Sequence, residues 1–136
     1  MTNPQSICTA LRDQRQRTVI EWAERCFGRK TVRQDDERAL RLLEEAMEVA
    51  QALDVSQERC VALLDHVYGR PAGTIDREIG GVCVTLLALC EHLGHSADLC
   101  ERHEISRILS LSPGHFAERQ AAKARAGVAG MPVAGG

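Results

Sequence analysis

The sequence predicts an all-α protein: a helical bundle of about five or six helices. Three observations carry this. No segment alternates apolar and polar residues over the length of a strand. Apolar residues instead recur at spacings of three and four. Pro, Ser, Thr, Asp and Gly punctuate the chain at helix-length intervals, as caps and stops do. No internal repeat of fixed period is present.

Pro4 opens a first helix, through Ile7, Leu11, Val19 and Trp22 to Phe27, and Gly28 stops it. Residues 29–34, RKTVRQ, read as a polar link. Asp35 or Asp36 caps a second helix over about 36–53. Ser56 caps a third, ending at Tyr68-Gly69, and RPAGT (70–74) is a turn punctuated by Pro71 and Gly73. Thr74 or Asp76 starts a fourth helix, ended by Gly94. Ser96 caps a fifth, to about Leu111, and Pro113 begins a short sixth over about 114–126. Residues 1–126 form one domain on this reading, and residues 127–136, GVAGMPVAGG, form a mobile C-terminal tail.

The totals narrow the function. A net charge of -2 advertises no nucleic-acid polymer as partner. Aromatics at 3% provide no stacking platform for single strands. No apolar run reaches the roughly 18 residues of a membrane helix, and the N-terminus MTNPQSICTALRDQ has no apolar signal-peptide core. The six cysteines include no CxxC pair and fall mostly within apolar helical patterns. They read as reduced thiols, which implies a cytoplasmic location.

Two helices raise a chemical question. On the second helix, which contains LLEEAMEVAQAL (42–53), Leu40, Leu43, Met47 and Ala50 share a stripe, and Glu44, Glu45 and Glu48 gather beside it with Arg41. One account is a solvated face, with Arg41 and Glu45 paired four residues apart. The fourth helix favours another. From Ile79 to Cys90 it is apolar or small on every side, the pattern of a helix enclosed by others. Glu78 stands at its start, where a buried carboxylate needs a pair or a cation. Gly80 and Gly81 fit a close approach by another helix or a ligand. Carboxylates converging from two helices call for a hard divalent cation. Mg²⁺, with Mn²⁺ as a substitute, accepts such oxygens and bridges to phosphates.

EEAME, Glu44 to Glu48, has the EExxE form of the all-α NTP pyrophosphohydrolases, the MazG-like superfamily, and REIGGVCVTLLAL stands where that family carries ExxD. EWAERCFG and YGRPAG also resemble its flanks, and the resemblance covers roughly residues 16–126. It implies a homodimer or homotetramer that hydrolyses a nucleoside triphosphate, NTP or dNTP, to monophosphate and pyrophosphate. Glu45, Glu48 and Glu78 would hold Mg²⁺. Glu44 and Glu48 would be the catalytic carboxylates, Glu44 in the outer shell or as base for the water. Gly81 departs from the pattern, standing where the family has Asp. A water, the nearby Asp76 or a carboxylate from a second subunit are the candidate replacements. The sequence is similar, more distantly, to phosphoribosyl-ATP pyrophosphohydrolases. The competing reading is a non-catalytic nucleotide-binding or protein-interaction module whose fourth ligand was lost at Gly81.

Substrate contacts are expected from the last helix, where Arg119 and Lys123 share a face and Arg125 adds charge; a basic solvated face is the alternative. Gln16 and Trp22 would touch base or sugar, with a core role the alternative for Trp22. Arg70 and Tyr68 are further candidates in the turn. The group Cys90, His92, His95, Cys100 and His103 fits no common zinc spacing. No GxGxxG or GxxxxGK[ST] is present, which excludes a Rossmann or P-loop site.

Overall fold

The computed structural model describes residues 3–129, and these are all-α. Among the described residues there are seven helices: α1 (Pro4–Phe27), α2 (Arg29–Val32), α3 (Asp35–Ala52), α4 (Gln57–Tyr68), α5 (Ile75–Leu93), α6 (Ala97–Ser110) and α7 (Pro113–Arg125). The tail expected over 127–136 lies outside the described residues from position 130 onward. No single helix among the described residues is long and apolar enough to cross a membrane.

The caps work as their side chains suggest. The Asn3 Oδ1 accepts from the Gln5 N–H at 3.1 Å, and Pro4 follows at the first helical position. Ser56 and Ser96 accept from Arg59 and Leu99 N–H groups at the starts of α4 and α6. Gly28 (φ 80°) and Gly94 (φ 71°) end α1 and α5 in backbone conformations that suit glycine. Asp54 does the same after α3 at φ 58°, as the short Asx side chain permits. The added helix is α2, which lies in the segment read as a polar link. Its Thr31 and Val32 are buried, so two small side chains outweigh the Arg-Lys character of the rest.

The chain divides into two compact units, residues 1–43 with 107–136, and residues 44–106. In the first, α1 packs against α2 and α7. Its core is Cys26, Ile108 and Phe116, with Trp22, Phe27 and Leu111 packed around it. Trp22 meets Phe116 and Phe27 edge-to-face, with centroids 4.9 and 5.8 Å apart. Beside this core Glu37, only 2% exposed, accepts a hydrogen bond from Gln120 Nε2 at 3.0 Å and pairs with Arg41 Nε at 3.3 Å. Arg38 lies at 3.9 Å on the same carboxylate. A buried carboxylate is tolerated only with such partners. Burial pushes the Arg38 guanidinium below its usual range; Glu37 opposes this and Arg41 adds to it. Arg41 also donates to the Val128 carbonyl, which ties the end of the described chain to α3.

The second unit has the second half of α3, then α4, α5 and α6 as far as Ser106. None of residues 44–106 is buried. Tyr68 is 81% and Ile75 76% exposed. This corrects the expectation that α5 is enclosed. From Ile79 to Cys90 it is apolar or small all round, but its residues are exposed or half-buried in the described structure.

Two outcomes are expected. Glu37→Ala should lower stability by about 3 kcal/mol, read as a lower urea midpoint, because Arg38 and Arg41 lose their counter-charge. In a thiol-modification time course at neutral pH, exposed Cys8 and Cys100 should react first. Cys26 should react last, since burial raises its thiol pKa although Arg25 pulls the other way.

Candidate functional site

The acidic sector stands on the second half of α3. Glu44 is half-buried, while Glu45 and Glu48 are exposed. Glu44 and Glu45 each have an interaction partner. Arg41, one turn earlier, pairs back to Glu37.

Glu78 lies in the first turn of α5, its N–H bonded to the Thr74 carbonyl at 3.0 Å. Its exposed carboxylate folds back over Gly73 and fills the space that a side chain there would need. Asp76 serves its own helix start. The Thr74 hydroxyl, then the Arg77 N–H and its own, hold its carboxyl below the usual range. A carboxylate engaged in this way suits the positive end of α5. That engagement weighs against Asp76 as the replacement for a ligand at position 81.

All four glutamates belong to the unit of residues 44–106. Among the described residues, no three His, Cys, Asp or Glu side chains are grouped so as to hold a metal ion. Neither Glu45, Glu48 and Glu78 nor Cys90, His92, His95, Cys100 and His103 supply such a group among the described residues. Gly80 and Gly81 are equally open. A Cβ added at either would meet nothing within 4 Å, so the close approach inferred from the sequence does not come from the described part of this chain.

The expected substrate residues are divided. Arg70 and Tyr68, both exposed, lie after and at the end of α4 in the unit that holds the glutamates. Gln16 on α1 and Arg119, Lys123 and Arg125 on α7 lie in the other unit. Arg119 and Arg125 are exposed; Lys123 is half-buried and has a partner. Trp22 takes part in the core packing described above, and its indole N–H has no hydrogen-bond partner among the described residues. Sequence reasoning passed over Glu37 and Gln120, the buried polar pair. Each is one polar residue among many on an amphipathic helix, and only their distance of 3.0 Å distinguishes them.

No protein-family profile, curated protein or solved structure matches this chain.

Gly81→Asp should fold normally. The position is helical, φ is not positive and the space is open. Its thermal unfolding should shift by no more than about 0.5 kcal/mol in either direction.

Proposed function

We propose that the protein is a Mg²⁺-dependent nucleoside triphosphate pyrophosphohydrolase. Water attacks the α-phosphorus of an NTP or dNTP, the α–β phosphoanhydride bond breaks, and nucleoside monophosphate and pyrophosphate leave. The site is completed only when a further copy of the chain covers the unit of residues 44–106. One observation carries the reading. Glu44, Glu45, Glu48 and Glu78 stand on two helices of a unit in which no residue is fully buried, beside apolar faces left exposed or half-buried. The EExxE spacing of Glu44, Glu45 and Glu48 supports the same chemistry.

A second reading has its own support. Gly81 offers no oxygen where the resembled family has Asp, and no group of three metal-binding side chains is assembled among the described residues. A nucleotide-binding or protein-interaction module without turnover fits those two facts.

Pyrophosphate release from a panel of NTPs and dNTPs, with Mg²⁺ or Mn²⁺, separates the readings. Turnover with at least one nucleotide is expected. Glu48→Gln and Glu78→Gln should each lower it at least about 100-fold, with helicity unchanged by circular dichroism. No release from any nucleotide overturns the hydrolase. Calorimetric nucleotide binding would then indicate the sensor, and its absence the interaction module.

A further inference from the structure

Six apolar residues of α5, Ile75, Ile79, Val82, Leu86, Leu89 and Leu93, follow one another at spacings of 4, 3, 4, 3 and 4, with Val84 and Leu87 off this line. This is an unbroken heptad seam along the whole helix, about 28 Å long. Leu89 is half-buried, and the other five members are 41–76% exposed. A seam of this kind takes another seam as its partner, knob into hole. No other described helix packs on α5 to any comparable extent.

We propose that two copies of the chain associate through an antiparallel α5–α5 seam. This names the surface for the association invoked above, but it does not depend on the nucleotide chemistry. The pattern of the seam and the charges beside it choose the occupant and its direction. The heptad places Ile75, Val82 and Leu89 at d and Ile79, Leu86 and Leu93 at a. A parallel dimer prefers β-branched residues at a and leucine at d, and only Ile79 and Leu89 obey that rule here. An antiparallel pair sets Ile75 against the second copy's Leu93, Ile79 against its Leu89 and Val82 against its Leu86. Every layer then joins one β-branched side chain to one leucine, so the layers are alike in volume.

Charge agrees with this direction. The flanking g positions are Glu78, Thr85 and His92. Antiparallel pairing brings Glu78 of one copy to His92 of the other, twice by symmetry, with Thr85 near the two-fold axis. Parallel pairing would set g against e, where Asp76, Cys83 and Cys90 offer no basic partner. Gly80 and Gly81 fall at b and c, off the seam, and stay open to a further contact.

Sedimentation equilibrium of the full chain tests this. The wild type should be a dimer, or an even multiple, at micromolar concentration, and Leu86→Glu should be monomeric. His92→Glu sets glutamate against Glu78 of the second copy and should raise the dimer dissociation constant roughly tenfold. His92→Lys should not raise it. Glu78→Lys combined with His92→Glu should restore association, which decides the register even if Leu86→Glu fails to fold. A monomeric wild type at tens of micromolar overturns the proposal, as does His92→Glu matching wild type or an exchanged pair without recovery. Association that follows this pattern without pyrophosphate release would keep the seam and remove the hydrolase; release by a monomer would do the reverse.

Discussion

From Glu44 to Ser106 the chain makes regular, well-capped helices and yet buries none of their side chains. Helix propensity and capping contribute only tenths to about one kcal/mol each, too little to hold separate helices in water. Removal of apolar surface from water supplies about 25 cal/mol per Å², and in this segment it is partial, with no residue fully buried. The other features of the second unit accord with this incomplete burial. The glutamates are not gathered, the glycines face open space, and the apolar residues of α5 face water. The first unit differs because Phe116, Ile108 and Cys26 close a small core under Trp22.

Legibility in the sequence followed the range of the forces. Helix ends were readable because caps act within four residues. Pro4, Ser56, Gly94 and Pro113 all mark boundaries where the residue type demands them. The helical nature of α2 was not readable, since what orders Thr31 and Val32 is burial supplied by distant residues. The apolar pattern of α5 was seen correctly, but pattern alone does not say which chain supplies the cover. Enclosure was read where the structure has exposure. The acidic residues were named from spacing; whether they converge depends on packing that spacing does not contain. Trp22 shows the same limit, because its aromatic partners are distant in sequence, at Phe116, as well as near, at Phe27.

The electrostatics of the two ends of α3 contrast. At its start, Glu37 is almost fully buried and is satisfied by Gln120, Arg41 and Arg38. A charge in that setting serves architecture, since removing one partner strands the others. Three turns later Glu48 is exposed to water, where an extra carboxylate costs little and remains available for a cation. Glutamates on one helix thus divide into a buried, paired one and exposed ones. Asp76 and Glu78 divide similarly at the start of α5. Asp76 is held by hydrogen bonds to its own helix terminus, while Glu78 leans over Gly73.

Glu44 and Glu48 lie about one turn apart on the same stretch of α3, so their side chains point within about 40° of each other. Inserting a single residue between Glu45 and Glu48 would swing Glu48 about 100° away from the other two carboxylates without altering any of the three, whereas inserting a full heptad would return it to phase, displaced by about 10 Å.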